Sequence, residues 1–358
     1  MEELFFELLR VVLFRQELLS RNPSSFEWEQ LYSIANKQAL LGVCFSAISR
    51  LPNNQRPPSD LYNMWLAQTA QIVQQNELHT KVLVRVSSYL EGKTIDAVFM
   101  KGLICASRYP QPELRQSGDI DFVVSEELYV KTIRALEELG SVNHELKHEH
   151  HGMAWVDGIL LEPHYKIHNY QNPTNDKAMC QLQKEVLNGT PSYYCIAENR
   201  IRKFPIEFEG MYLVSHMVNH VYEEGLGLRQ IVDYYYWLQA FDGDKALFLS
   251  YLDKMQMRRA ARIFGIITEL YLGLEHGKGC LEKASTKEIQ FAKSLMADIM
   301  RVGNFGREYY HGTVKGIRDV ITNYMWVFRR SVRLAYLCPS EAHWWPYGKM
   351  IRFIKKHI

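Results

Sequence analysis

The sequence is short of cysteine, of long apolar runs and of net charge, and each shortage removes a class of protein. Six cysteines occur in 358 residues: Cys44, Cys105, Cys180, Cys195, Cys280 and Cys338. They are scattered, with no C-x-x-C pair, so the spacing offers neither a zinc knuckle nor a disulfide framework and points to a reducing compartment. No apolar run is long and unbroken enough to span a bilayer. The first residues, MEELFFELLRVVLF, carry acids where a signal peptide needs basic groups. A cytoplasmic protein is the expectation. The formal net charge is only +2, which excludes an electrostatic grip on nucleic acid by the whole molecule. Internal repeats and low-complexity tracts are absent. Charged residues, at 23%, stand at the ordinary globular level, so disorder is not indicated.

What the chain does hold is 47% hydrophobic residues, and its length suits two or three modest domains. Residues 1–92 read as a helical region, with Leu4, Phe5, Leu8, Leu9, Val12 and Leu13 on one helix face. Turn formers break the pattern at residues 51–58, and helical periodicity resumes over 60–91, with Gly92 as a stop. The pattern then changes. Residues 95–100 are a short apolar run expected as a buried strand, Lys101-Gly102 a turn, and 103–108 a short helix. Residues 120–124 are expected as a second strand. Ser125 caps a helix to about Leu139, with Gly140 at its C-cap. Asp157-Gly158 is a hairpin turn between residues 146–156 and 159–168. Beyond 175 the chain returns to helical patterns. The expected fold class is α+β: a small mixed β-sheet core in residues 93–170, between helical regions at 1–92 and 171–358.

Chemistry concentrates in Ser117-Gly-Asp-Ile-Asp-Phe-Val-Val124. Asp119 and Asp121 are two apart on the expected strand, so their side chains share one face, with Cα atoms roughly 6–7 Å apart. Two close carboxylates repel unless a cation or a shared proton intervenes. Carboxylate oxygens suit magnesium, and two ions can serve a nucleophile and a leaving group together. A bare D-x-D is common and can simply face water. Here Lys101-Gly102 stands upstream, at a turn where backbone N–H groups and a lysine can meet a phosphate. Downstream, Glu162 sits between apolar neighbours on a strand, where an unpaired charge is costly.

This ordered set resembles the DNA polymerase β-type nucleotidyltransferase superfamily and, more closely, an uncharacterised nucleotidyltransferase family found in bacterial genomes. The resemblance is carried by Lys101-Gly102, by Arg115-Gln-Ser-Gly118-Asp119-Ile-Asp121 and by Glu162-Pro-His164-Tyr165, and it spans about residues 95–240. A downstream helix with His216 and His220, followed by Arg229 and Asp233, also fits. The resemblance implies a nucleotidyltransferase core in which Asp119, Asp121 and Glu162 bind two Mg2+ (or Mn2+) ions and act in catalysis. It implies an NTP as one substrate and an unidentified acceptor, a small molecule, protein or RNA, as the other. Lys101, Gly102, Arg115, Gly118 and Arg229 are the expected nucleotide or phosphate contacts. The superfamily usually has Gly-Ser or Gly-Gly at the phosphate turn, where this chain has Gly102-Leu103. The hydroxyl is gone, which leaves open a catalytically inactive nucleotide binder; a regulatory, toxin–antitoxin-like partner is a further alternative, favoured only by the basic C-terminal tail.

Histidines crowd the same region: His144, His148, His150, His151, His164 and His168. Pairing 156 with 159 across the turn sets 151 against 164, so His151 and His164 flank Glu162 and are substrate-contacting candidates. The other four read as polar residues on a partly wet sheet, and the lack of an accompanying cysteine argues against a dedicated zinc site. His216, His220 and Asp233 are further substrate-contacting candidates. The plainer reading of Arg229 and Asp233 is an i,i+4 ion pair. Finally, residues 328–358 hold seven basic residues against Glu341, a local +6 that leaves −4 elsewhere. Interleaved aromatics suit RNA or an anionic membrane surface, but packing of this helix on its own domain is the favoured expectation.

Overall fold

The protein was analysed as a computed structural model, which describes residues 1–144, 150–196, 198–278, 283–304 and 317–357. Helices α1 (Glu2–Leu13), α2 (Ser25–Lys37), α3 (Leu41–Ile48) and α4 (Ser59–Gly92) come first. α1 buries Leu4, Phe5, Leu8, Leu9 and Val12, the stripe read from the sequence. Ser24 and Glu27 form a reciprocal capping box at the start of α2. The central segment runs β1 (Val98–Met100), α5 (Gly102–Ala106), β2 (Ile120–Val123), α6 (Glu126–Glu137), β3 (Ser141–Asn143), β4 (Met153–Val156) and β5 (Ile159–His164). After α7 (Pro173–Asn188) come β6 (Ser192–Ile196) and β7 (Asn199–Lys203). The rest is helical: α8 (Ile206–Glu223), α9 (Leu228–Ala240), α10 (Lys245–Lys254), α11 (Arg258–Leu272), α12 (Thr286–Val302), α13 (Ile317–Arg333) and α14 (Pro339–His357).

The strands form one mixed sheet in the order β3-β4-β5-β2-β1-β7-β6. The β2/β5 and β1/β7 pairs are parallel and the others antiparallel. The fold is therefore α+β with a mixed sheet, as expected, but the sheet is wider than its expected core. β6 and β7 extend it with residues from a stretch read as helical. Their alternation was hidden because the outward positions carry Tyr193, Cys195, Arg200 and other large or charged groups rather than small polar ones. β3 was also unforeseen. α6 ends at Glu137 with Glu138 as its cap residue, ahead of Gly140. The Asp157-Gly158 turn pairs Val156 with Ile159, and the isolated bridge His151↔His164 continues that register. Residues 146–149 of the expected hairpin, with His148, lie outside the described residues.

The pleat decides what each face of the sheet does. Phe99, Ile120, Phe122, Ala154, Val156, Ile159 and Leu161 pack with Val82, Leu83 and Val86 of α4 and Ala135 and Leu136 of α6. Val98, Met100 and Val123 join instead the larger core built on α8, α9 and α11. Side chains alternate along a strand, so Asp121 goes with Val123, and Glu162 and His164 take the face opposite Ile159 and Leu161. The candidate acids thus sit between the sheet and α8. α8 approaches α9 closely: a Cβ on Gly210 would come within 2.0 Å of the Trp237 ring.

Two arginines of α13 are used internally. Arg330 and Arg333 pair with Asp298 at 2.8 and 2.5 Å. Trp345 is fully buried with its ring 5.6 Å from that of Tyr222. Glu341 is buried and accepts a hydrogen bond from Asn175 Nδ2 at 2.7 Å. Burial pushes its carboxyl up to about 7. A carboxyl raised on folding contributes stability that is whole at acid pH and is lost as pH climbs from the usual glutamate range through the raised value. Glu341→Gln is therefore expected to gain stability relative to the native chain as pH rises from 5 to 8, on the order of 1–3 kcal/mol. Urea unfolding at several pH values measures the difference. A pH-independent difference would contradict the assignment.

Candidate active site

The site is assembled at the β2/β5 pair. In this parallel register Asp121 lies opposite Glu162 and Val123 opposite His164. Asp119 stands just before β2 rather than on it. One ligand atom each from Asp121, Glu162 and His164 lie within 4.8 Å of one another. Lys101 reaches in from the end of β1, its Nζ 3.0 Å from Asp121 Oδ1 and 6.0 Å from the Tyr212 ring centre. The Lys101 backbone has φ 54 and ψ −147, a strained conformation for a residue with a Cβ. Gly102 follows at φ +41, where glycine carries no such penalty. The expected turn is present, and strain at Lys101 is part of how it is aimed.

The electrostatics follow from crowding three carboxyls into a buried space. Burial alone would raise Asp121, but Lys101 and the His164 hydrogen bond outweigh it and hold the carboxyl at about 2. The charge on Asp121, and then burial, raise Asp119. Burial, then Asp121 and Asp119, push Glu162 up to about 8. Burial works against the Lys101 ammonium, yet Asp121, Tyr212 and Asp119 together keep it well above its ordinary value.

Imidazoles surround the acids. His164 Nε2 lies 3.1 Å from Asp121 Oδ1 and 3.8 Å from Glu162 Oε2. His151 Nε2 is 3.7 Å from the same Glu162 oxygen. His150 places a further ring nitrogen within 4.8 Å of those of His151 and His164. The His164 Nδ1 atom is buried with no hydrogen-bond partner. Across the cleft, His216 and His220 of α8 meet Nε2 to Nε2 at 3.0 Å. Burial drives His216 well down, His220 to about 4 and His168 to about 3, so these three rings are neutral at pH 7.

The far wall is α9. Asp233 accepts both arms of a bidentate Arg115 contact, at 2.7 and 2.6 Å, and the Tyr109 hydroxyl at 2.7 Å. Arg115 was expected to meet a phosphate. Its guanidinium also holds Asp233, a partner across the fold. Arg229 donates to the Gln116 carbonyl at 2.5 Å. Burial lowers the Arg229 guanidinium to about 10, partly offset by Asp233 and Asp119.

All the residues singled out in the sequence line one cavity of about 320 Å³: Lys101, Gly102, Arg115, Gly118, Asp119, Asp121, His151, Glu162, His164, His216, His220, Arg229 and Asp233. Sequence reasoning set aside His150 and His168, which line it too. It also missed Tyr212, Asn219 and Glu223. Tyr212 and Glu223 were within reach: positions 212, 216, 220 and 223 form one face of a single helix. Asn219 carried no such signal. Both of its amide atoms are buried without a partner. His144 is exposed and pairs with Glu137 at 2.8 Å, away from the cavity.

A family model described as an uncharacterised nucleotidyltransferase matches residues 24–273. Among solved structures, the chain is similar to an antigenic nucleotidyltransferase-like protein from Paracoccidioides brasiliensis, at 14% identity and a TM-score of 0.33, over 50% of this chain and 87% of that one. No protein with a curated description matches.

The Arg115–Asp233 pair has side chains only 6% and 4% exposed. Removing one partner of such a pair strands a buried charge, so Asp233→Ala is expected to cost about 3–5 kcal/mol in urea unfolding. A cost under about 1 kcal/mol, typical of exposed pairs, together with lost nucleotide affinity, would return Arg115 to a phosphate-binding role.

Proposed function

The chain belongs to the uncharacterised nucleotidyltransferase family, and on that premise we propose that it transfers a nucleotidyl group from an NTP to an acceptor hydroxyl or phosphate with divalent cations. The observation that carries this reading is the parallel pairing of Asp121 with Glu162, with Asp119 and Lys101 at the same cleft. Strand, Lys-Gly turn, acidic pair and third acid in that order also support kinship with the wider DNA polymerase β-type superfamily.

The donor set fits a cation. Asp121 raises Asp119, and burial and then Asp121 raise Glu162, so three carboxyls crowd one cleft beside the single ammonium of Lys101. His164 adds Nε2, which lies 3.1 Å from Asp121 Oδ1 and 3.8 Å from Glu162 Oε2. Asp119, Asp121 and Glu162 would hold Mg2+ or Mn2+, which when bound neutralises phosphate charge and acidifies an acceptor oxygen.

The chain's own groups then divide the remaining work. Lys101 and Arg229 bring positive charge to phosphate oxygens, which suits a reaction governed by positioning and charge stabilisation. Gly118 leaves open space, since a Cβ there would meet nothing within 4 Å. The Gly102-Leu103 turn lacks the usual hydroxyl, and Lys101 is the group nearest to replace it. Neutral His216 and His220, with the Asn219 amide, offer hydrogen bonds to an uncharged part of a substrate.

With Mg2+ or Mn2+ and labelled ATP, CTP, GTP and UTP, the purified protein is expected to release pyrophosphate and label an acceptor drawn from small molecules, proteins and RNA. Asp119→Asn combined with Asp121→Asn is expected to lower turnover by about 10²-fold or more while circular dichroism stays unchanged. Unaltered turnover in the double variant would overturn the assignment. Cation-dependent NTP binding without turnover across the acceptor screen would identify an inactive nucleotide binder.

A further inference from the structure

The histidines beside the acids are not absorbed by the reading above. His151 and His164 face each other across an antiparallel bridge, and both rings sit against Glu162 Oε2, at 3.7 and 3.8 Å from Nε2. His164 Nε2 is also 3.1 Å from Asp121 Oδ1. Ligands held about 2.0–2.2 Å from one ion stand roughly 2.8–3.6 Å from each other in octahedral or tetrahedral arrangements. The His164–Asp121 separation already falls in that range and the two histidine–Glu162 separations lie just outside it, while His164 belongs both to the Asp121, Glu162 cluster and to the His150, His151 cluster. The strand register supplies this spacing, because residues 162 and 164 share a face and 151 lies directly across from 164. His150 holds another ring nitrogen within 4.8 Å of those of His151 and His164.

We propose that this cleft is a mixed imidazole–carboxylate site, with Asp121, Glu162, His151 and His164 as ligands, that selects a first-row transition ion such as Mn2+ over Mg2+. It rests on the cation assigned above to Asp119, Asp121 and Glu162, shares Asp121 and Glu162 with that set, and goes further by adding two imidazoles and naming the class of ion. The chemistry is that of the donors. Mg2+ favours oxygen ligands and keeps its waters, whereas imidazole suits Mn2+, Co2+ and Zn2+. The imidazoles stand just before β4 and at the end of β5, and an imidazole nitrogen that ligates a cation adds affinity for a softer ion without adding negative charge. Lys101 touches the same Asp121 oxygen at 3.0 Å and competes with any cation, which further penalises an ion that binds through charge alone.

The test uses the full chain, with MnCl2 followed by electron paramagnetic resonance, MgCl2 by displacement of bound Mn2+, and CoCl2 by visible absorption. Mn2+ is expected to bind at least about tenfold more tightly than Mg2+, and Co2+ to show d–d bands shifted from those of the aqueous ion. His151→Ala and His151→Gln are expected to weaken Mn2+ about tenfold or more, to leave Mg2+ affinity within about twofold, and to move the cobalt spectrum. Thermal unfolding of both variants shows whether either has lost its fold. Equal native affinity for Mn2+ and Mg2+, or parallel loss of both in a folded His151 variant, would overturn the proposal. If Asp121→Asn abolishes turnover while His151→Gln leaves the Mn2+ to Mg2+ ratio untouched, the transferase reading stands and this one falls.

Discussion

The register of β2 against β5 is the constraint on which the rest of the site depends. Parallel pairing sets Asp121 opposite Glu162 and Val123 opposite His164. A slip of one residue in β5 would send Glu162 and His164 into the face packed on α4 and α6, and would bring Leu161 into the cleft. The apolar partition prevents that slip. Ile159 and Leu161 are buried in the same cluster as Ile120 and Phe122, so any other register trades buried aliphatic surface for buried charge. The hydrophobic effect on one face of the sheet thereby fixes carboxylate geometry on the other. The same register carries through the tight Asp157-Gly158 turn to His151.

Much of this was legible because it depends on local periodicity. The i,i+2 spacing of Asp119 and Asp121, the turn at Asp157-Gly158 and the i,i+4 spacing of His216 and His220 each specify a direction in space once the element is known. Pairing 156 with 159 was enough to place His151 against His164 without any tertiary information. What could not be read was set by contacts far apart in sequence. Arg115 and Asp233 are 118 positions apart, and neither has a local feature that announces the other. Lys101 looked like a phosphate ligand by type, and its ion pair with Asp121 depends on β1 lying antiparallel beside β2. β6 and β7 escaped notice because strand propensity reports half-buried packing more than backbone preference, and their outward face is not plainly polar.

Three features of the cleft run against what a core selected only for stability would contain. Lys101 holds a backbone conformation costly for any residue with a Cβ. His164 and Asn219 keep buried polar atoms without partners, which buried groups seldom do. Glu162 is raised to about 8 beside two other acids. Each occurs singly elsewhere in proteins for structural reasons. Their coincidence in one cavity, on side chains from the end of β1, from β5 and from α8, is what functional sites produce, because strain and frustrated charge persist where the surrounding packing over-determines them.

Charge also divides the cavity into two sides. His168, between β5 and α7, and His216 and His220 on α8 are buried and neutral at pH 7, so these cavity histidines do not act as a positive surface for a polyphosphate. Positive charge comes from Lys101 at the acids and from Arg229 on α9, whose guanidinium stays charged even when lowered to about 10. On the proposed reaction, a triphosphate would be met best along the line from Lys101 to Arg229, close to Asp119 and Asp121. The neutral wall of His216, His220 and Asn219 is left for groups that exchange hydrogen bonds rather than charge. Under the same proposal, an acceptor bearing hydroxyls or amides would suit that wall better than a strongly anionic one, which would need counter-charge that the wall does not carry.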